Sequence, residues 1–312
     1  MIAATFERKC LSKGGIYLVY KSLEHFGIDL LIQDHGKVDI DKKYNLVIGF
    51  GQPSCLPPNG NYKRAMVYCS PLLQSELSGE IQYLAYYASL IERGELDYLL
   101  ITDKDLAKSL ERSDGRILWL PICDFREITE SENKRDGYII TGATRPNKNF
   151  FNQMLALSLC KTVNKVSLLG EDKTILISIF ESFISNKNEA KKFSIIPHKT
   201  TYQEVLDVVS EHKALMQVSL SESFCYAVWE ASMLGVPSLC TTSTYWYRGD
   251  KIGEYCLVSD FDSSIKILEA VTKIENMNEE EYSLLSKEVR QVAEKTMEFH
   301  IKETKKLFES II

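Results

Sequence analysis

The sequence lacks most of the patterns that mark metal-dependent, disulfide-rich or membrane-spanning proteins. Its eight cysteines form no C-x-x-C pair and its five histidines no pair at helical spacing, so we expect no metal site. No apolar run approaches the ~18 residues of a membrane helix, and the first residues lack a signal peptide's apolar core. We therefore expect a soluble protein of the cytoplasm whose cysteines are reduced thiols.

The charge balance is only mildly acidic. The chain has 37 Lys and Arg against 43 Asp and Glu, a formal net charge of −6, which argues against general nucleic-acid binding. Residues 1–66 reverse this bias, with nine basic and six acidic side chains. This weakly basic region could face an anionic partner or touch a membrane surface peripherally. Chance scatter over a solvated surface is the alternative.

Short β-like runs alternate with helical stretches along the whole chain of 312 residues. Strands separated by helices predict parallel sheets, and the length predicts two doubly wound α/β domains that face a cleft. The charged stretch at 124–137 has no apolar periodicity and predicts a linker. We expect a first domain over 1–137 with this linker, a second over 138–295, and a terminal helix over 296–312.

The stretch "ALMQVSLSESFCYAVWEASMLGVPSL" predicts a strand, a short helix and a second strand. Glu222 follows the first strand, and Glu230 sits inside a helix that is apolar almost all round. Glu222 could cap this helix, whose start we expect near 223–224. A carboxylate in a buried helix needs a partner, because burying it alone costs several kcal/mol. That partner could be a ligand with a vicinal diol, such as ribose, or a buried Lys or Arg.

The same stretch resembles the signature of retaining glycosyltransferases of family 4, which have the GT-B fold. The signature pairs two glutamates eight positions apart, the second followed by Ala, Gly and Pro. The residues that match it are Ser219, Glu222, Phe224, Glu230, Ala231, Gly235 and Pro237. Ser223 and Cys225 stand where the signature has glycine, a residue that lets the backbone approach a ligand closely. The resemblance implies a GT-B fold whose C-terminal helices return to the first domain.

The resemblance also implies roles for individual residues. Glu222 would bind hydroxyls of the transferred sugar, and Glu230 would bind the ribose of the nucleotide. The backbone of Ser223, Phe224 and Cys225 would line the sugar and the phosphates.

Two further segments extend the resemblance. In "GYIITGATRPNKNFF", Gly142 and Lys148 match the spacing of a pyrophosphate-binding turn, while Ala143 occupies the position of its arginine. Arg145 could reach the same phosphates instead. Gly14–Gly15 resembles an N-terminal glycine loop that approaches donor phosphates or the acceptor, although a plain tight turn accounts for it as well.

The resemblance implies a retaining glycosyltransferase that moves a sugar from a nucleoside diphosphate sugar to an acceptor hydroxyl. Glu222, Lys148 and Arg145 would be its catalytic residues, and no metal or other cofactor is expected. The acceptor would be a glycan, a lipid-linked molecule or a protein. A histidine that the resemblance places in the first domain is absent from "YCSP" at 68–71. Two alternatives remain open: a GT-B-like subunit that binds without catalysis, and a nucleotide-sugar epimerase of the same fold.

Overall fold

The computed structural model describes residues 1–8, 14–34, 40, 44–129, 134–142, 146–170, 191–197, 199, 201–249 and 251–312. The chain divides into two compact units. The first comprises residues 1–126 together with 297–312, and the second comprises residues 127–296. A compact unit is not the same as a segment that folds by itself. The predicted domain limits (1–137, 138–295 and 296–312) therefore stay predictions.

A parallel sheet forms the centre of the first unit. Its described strands are β1 Ile2–Glu7, β2 Asp29–Gln33, β3 Leu46–Phe50, β4 Lys63–Tyr68, β5 Tyr98–Ile101 and β6 Ile117–Trp119. They lie in the order β2-β1-β3-β4-β5-β6, and each neighbouring pair is parallel. Strands β1 and β3 are buried throughout, as expected for a parallel sheet covered on both faces.

Helices connect these strands. The described ones are α1 Gly14–Ser22, α2 Leu72–Ser78, α3 Ile81–Glu92 and α4 Lys104–Glu111, with short 3-10 turns at Leu23–Phe26 and Pro53–Cys55. Asp103 caps α4 by accepting hydrogen bonds from the backbone N–H groups of Asp105 and Leu106. The apolar side of α3, including Leu84, Tyr87 and Leu90, packs into the core beside β5.

The second unit repeats this plan. Its described strands are β7 Tyr138–Thr141, β8 Val166–Gly170, β9 Phe193–Pro197, β10 Ala214–Gln217, β11 Ser238–Thr241 and β12 Leu257–Val258. Their order is β12-β11-β10-β7-β8-β9, again with every neighbouring pair parallel. This is the strand order of dinucleotide-binding doubly wound sheets. The predicted fold class of two doubly wound sheets is confirmed.

The described helices of the second unit follow its strands. They are α5 Phe150–Leu159, α6 Tyr202–Ser210, α7 Tyr226–Met233, α8 Gly253–Cys256 and α9 Ser264–Glu275, with 3-10 turns at Pro146–Lys148 and Tyr245–Tyr247. A capping box starts α6, where Thr201 and Glu204 each accept a hydrogen bond from the other's backbone N–H. The helix that the sequence predicts over 173–185 lies outside the described residues.

The last helix, α10 Glu279–Ile311, confirms the helical spacing of the tail. Its first part belongs to the second unit and its residues from Met297 onward to the first. His300, Thr304 and Phe308 are buried there. The His300 imidazole contacts the carbonyl oxygen of Ile122 at 2.6 Å from Nδ1, and burial lowers the pKa of His300 to about 4.

The described parts of the predicted linker, 124–129 and 134–137, make specific contacts. Asp124 is buried within the first unit, where its carboxylate pairs with Arg126, and Ile128 is buried in the second. Arg135 donates hydrogen bonds to the carbonyl oxygens of Leu234 and Gly235 at the end of α7. Asp124, Arg126 and Arg135 thus have partners in the folded chain, which the absence of apolar periodicity did not reveal.

Each sheet has one point at which the strand order reverses. In the first sheet it lies between β1 and β3, and in the second between β7 and β10. Doubly wound proteins bind ligands at the carboxyl ends of the strands beside such a point. We therefore expect ligand-binding residues at these two points.

Candidate functional site

The loop that leaves β7 brings a lysine to the reversal point of the second sheet. Gly142 follows the strand with φ +65°, a left-handed conformation that favours glycine. Lys148 ends the 3-10 turn before α5 and is 7% exposed. Arg145, together with Ala143, lies outside the described residues, so its role stays a prediction.

The loop that leaves β10 lies directly against this turn. The backbone N–H of Leu220 donates to the carbonyl oxygen of Asn147 at 2.8 Å, and Nδ2 of Asn147 donates to the Ser221 carbonyl at 3.3 Å. These bonds connect segments that are more than 70 positions apart in the sequence. They place Glu222 next to Lys148.

Lys148 and Glu222 form an ion pair, in which the ammonium donates to Oε1 of the carboxylate. Their side chains are only 9% and 12% exposed. Removing one partner of such a pair leaves a poorly solvated charge, which is strongly destabilising, although the intact pair adds little net stability. Two residues that the sequence predicts for the same site are thus in direct contact. The Lys148–Glu222 pair does not decide between the two partners that the sequence analysis left open for Glu230.

Gln217 joins this pair and was missed by the sequence predictions. It is the last residue of β10 and is buried. Its Nε2 donates to Oε1 of Glu222 at 3.2 Å, and its Oε1 accepts a hydrogen bond from Thr141 at 3.1 Å. The only signal in the sequence is a polar residue at the end of the apolar run "ALMQ".

Helix α7 begins later than expected. Its N-cap is Cys225, with φ 67° and ψ 72°, so the helical conformation starts at Tyr226 rather than near 223–224. The left-handed backbone at Cys225 cannot belong to a right-handed helix. Glu222 lies three positions before the cap, so helix capping does not account for its carboxylate.

Glu230 lies on one side of α7 that is not fully buried. Tyr226, Ala227 and Glu230 are all half-buried, whereas Val228, Trp229 and Ala231 are buried. The prediction of a helix buried on every side was therefore wrong. An α-helix places residues three and four positions apart on one face, so Tyr226 and Glu230 share a partly solvated surface.

The segment before α7 is fixed by aromatic packing. Phe224 is 1% exposed, its ring stacks on Trp246 at 6.0 Å, and its carbonyl oxygen accepts a hydrogen bond from Trp246 Nε1 at 3.0 Å. Ser223 is half-buried and Cys225 is buried. Burial raises the pKa of the Cys225 thiol above its ordinary value, so this thiol stays protonated at neutral pH.

The first unit has a pocket at its own reversal point. The pocket has a volume of ≈ 540 Å³, its open mouth included. Its lining residues are Phe6, Ile16, Phe50, Gly51, Gln52, Tyr68, Cys69, Ser70, Glu80 and Tyr83. Ser70 donates a hydrogen bond of 2.5 Å to the Glu80 carboxylate. The pocket combines aromatic rings with a carboxylate, where the sequence resemblance placed a histidine.

Gly14–Gly15 begins helix α1, with Gly14 at φ +41°. Both glycines are exposed, and a Cβ added at Gly14 would meet no atom of the described residues within 4 Å. The preceding residues 9–13 are outside the described part of the chain. The predicted approach of these glycines to a ligand stays a prediction.

The described ranges contain neither a metal-binding cluster nor a membrane-spanning helix. No group of three or more His, Cys, Asp or Glu side chains there could hold a metal ion. None of the helices described is both long enough and apolar enough to cross a membrane.

Comparison with solved structures places this geometry in a known fold. A glycosyltransferase from Rickettsia africae ESF-5 superposes with a TM-score of 0.69 at 10% identity, covering 99% of this chain and 98% of that chain. Sucrose-phosphate synthase from Thermosynechococcus elongatus gives 0.71 at 13% identity with the same coverage. Anabaena HepE, solved in complex with UDP and glucose, gives 0.68 at 10% identity, again over 99% and 98%.

The fold is GT-B. The GT-B architecture that the sequence resemblance implied is therefore confirmed. No protein-family model matches the chain, and no curated protein matches its sequence. At 10–13% identity the structural likeness establishes the fold alone.

Proposed function

We propose that this protein is a retaining glycosyltransferase that uses a nucleoside diphosphate sugar as donor. The observation that carries the proposal is the Lys148–Glu222 pair at the reversal point of the second sheet. An ammonium group suits a pyrophosphate and a carboxylate suits sugar hydroxyls, so the pair has the two charges that such a donor requires. The complex of HepE with UDP and glucose supports the same ligand class for this fold.

In this proposal the donor separates the ion pair. Lys148 moves from the Glu222 carboxylate to the pyrophosphate, and Glu222 accepts hydrogen bonds from the hydroxyls of the sugar. Glu230, on the half-buried side of α7, accepts from the ribose hydroxyls. Gly142 has no side chain, so its backbone can approach the phosphates closely. Its left-handed φ would also strain any other residue at this position.

Transfer breaks the bond between the anomeric carbon and the pyrophosphate oxygen and forms a bond to the acceptor oxygen, whose proton passes to an oxygen of the departing diphosphate. Positive charge develops on the sugar, and negative charge develops on the departing pyrophosphate. Lys148 and the N-terminal N–H groups of α7 stabilise this negative charge. We propose that these groups suffice without a metal ion.

The acceptor side of the proposal rests on the pocket in the first unit. Aromatic side chains such as Phe50 and Tyr83 cover the apolar faces of a sugar ring, and the Glu80 carboxylate accepts hydrogen bonds from hydroxyls. This chemistry suits a polyhydroxylated acceptor, whether a free glycan or one linked to a lipid or protein. We place the reaction in the cytoplasm, peripherally at a membrane where the acceptor is lipid-linked.

Ligand binding tests the donor site directly. Thermal shifts with UDP-glucose, GDP-mannose and ADP-glucose should show a rise in melting temperature for at least one donor. Lys148→Ala and Glu230→Ala should abolish most of that rise, while Lys306→Ala, at an exposed pair on α10, should keep it. If none of the three donors raises the melting temperature of the wild type, the proposal fails.

Product analysis then separates the transferase from its alternatives. NMR of the product after incubation with an acceptor glycan should show the anomeric configuration of the donor retained. Donor binding with neither transfer nor slow hydrolysis would point to a binding subunit. A change in the donor sugar with no acceptor present would point to an epimerase.

A further inference from the structure

We infer that Gln217 is a positioning residue for the donor sugar, which it serves by fixing the carboxylate of Glu222. This inference rests on the proposed function. Gln217 ends β10, and Thr141 ends the neighbouring strand β7. The register that pairs Met216 with Ile140 sets these two residues side by side at the reversal point.

Each polar atom of the Gln217 side chain has a partner. Oε1 accepts from the Thr141 hydroxyl at 3.1 Å, and Nε2 donates to Oγ of Ser219 at 3.0 Å and to Oε1 of Glu222 at 3.2 Å. The residue is 4% exposed. A flipped amide would set its oxygen against the carboxylate oxygen, so Glu222 itself selects the orientation of the amide.

Gln217 and Lys148 contact the same carboxylate oxygen. Both donate to Oε1 of Glu222, and none of the described residues donates a hydrogen bond to Oε2. When Lys148 turns to a phosphate, Gln217 still holds Oε1, and Oε2 is available to a sugar hydroxyl. Gln217 thus preserves the carboxylate geometry at the step when the ion pair separates.

Loss of this amide should weaken recognition of the sugar and spare recognition of the nucleotide. Gln217→Leu removes the hydrogen bond to Glu222. Gln217→Glu keeps the size and the acceptor for Thr141 but sets a second carboxylate against Glu222. The two roles differ in the pattern of the loss: a purely structural role predicts equal losses for nucleotide and nucleotide sugar, whereas the positioning role predicts a loss for the nucleotide sugar alone.

The experiment is calorimetric titration with each free nucleoside diphosphate and its sugar, namely UDP and UDP-glucose, GDP and GDP-mannose, and ADP and ADP-glucose. For the donor that binds the wild type, Gln217→Leu should lower affinity for the nucleotide sugar about tenfold and Gln217→Glu more. Affinity for the free nucleotide should stay within about twofold. Ser167→Ala is the matched control, because it removes a buried hydrogen bond of 2.8 Å to His212 away from the Glu222 cluster.

Thr141→Val keeps the test decisive if the Gln217 variants do not fold, because it frees the far end of the amide without touching Glu222. It should lower nucleotide-sugar affinity in the same direction, by a smaller factor. Equal losses for nucleotide and nucleotide sugar, or no loss with either, would overturn the inference while leaving the proposed function intact. If the wild type binds none of the three donors, both the inference and the proposed function are overturned.

Discussion

Cys225 holds a backbone conformation that a glycine would adopt without strain. Its φ of 67° and ψ of 72° lie in the left-handed region, and its side chain is buried at the N-cap of α7. For a residue with a Cβ this conformation costs about 1–2 kcal/mol. We therefore expect Cys225→Gly to be more stable than Cys225→Ala, the reverse of the usual order of these two residues.

The magnitude follows from two opposing terms. Both substitutions lose the buried sulfur, so that loss cancels in the comparison. Alanine retains the left-handed penalty of about 1–2 kcal/mol, while glycine loses about 0.5–1 kcal/mol more conformational entropy on folding. The glycine variant should therefore be more stable than the alanine variant by roughly 0.5–1 kcal/mol. In a unit of this size each kcal/mol corresponds to about 2–4 °C in melting temperature.

The assay is thermal and urea unfolding followed by circular dichroism. Ala231→Gly in the same helix provides the control, since Ala231 is buried within α7, where glycine costs about 1 kcal/mol. The glycine–alanine comparison should therefore have opposite signs at 225 and 231. If Cys225→Ala proves as stable as Cys225→Gly, the left-handed strain at the N-cap is not present in the protein.

Two further predictions concern another backbone turn and a buried histidine. Gly142→Ala should destabilise by about 1 kcal/mol, because the left-handed penalty at φ +65° exceeds the entropy that glycine loses on folding. Among the described residues the new Cβ would meet only Cε of Lys148, at 3.8 Å. Gly115→Ala, which has no left-handed φ, should not be destabilising in urea titrations. His300 should make stability fall as pH drops from about 6.5 toward 4, because only the unfolded chain binds the proton in that window. The loss of unfolding free energy should reach on the order of 3 kcal/mol in urea titrations. It should be much smaller in His300→Asn. The same pH dependence in this variant would contradict the assignment to His300.

The sheets could be predicted because the strands of a parallel sheet, which helices cover on both faces, are continuous apolar runs in the sequence. "LVIGF" at 46–50 and "ALMQ" at 214–217 are both strands, and both are buried along their length. Alternation with helical segments then determines the fold class. The strand order itself depends on long-range pairing, which the GT-B resemblance supplied and local patterns did not.

The candidate site could be predicted only in part. Sequence spacing singled out Lys148 and Glu222, but their contact depends on hydrogen bonds from Asn147 to a distant loop. Gln217 had no motif to mark it, because its role comes from the neighbouring end of another strand. The start of α7 was misplaced because a left-handed cysteine has no signature in composition or periodicity.

The site can be stable without its donor because the poorly solvated carboxylate of Glu222 has a partner within the protein. Glu222 is only 12% exposed and would be costly alone, so the protein supplies Lys148 as its counter-ion. Such a pair adds little net stability, since desolvation offsets most of its attraction. A pyrophosphate can therefore take the lysine at a modest cost, provided that Glu222 keeps Gln217 and gains the hydroxyls of the sugar. Donor binding then replaces one satisfied arrangement of charges with another, and a free phosphate, which brings no hydroxyl for Glu222, should bind less favourably than the complete donor.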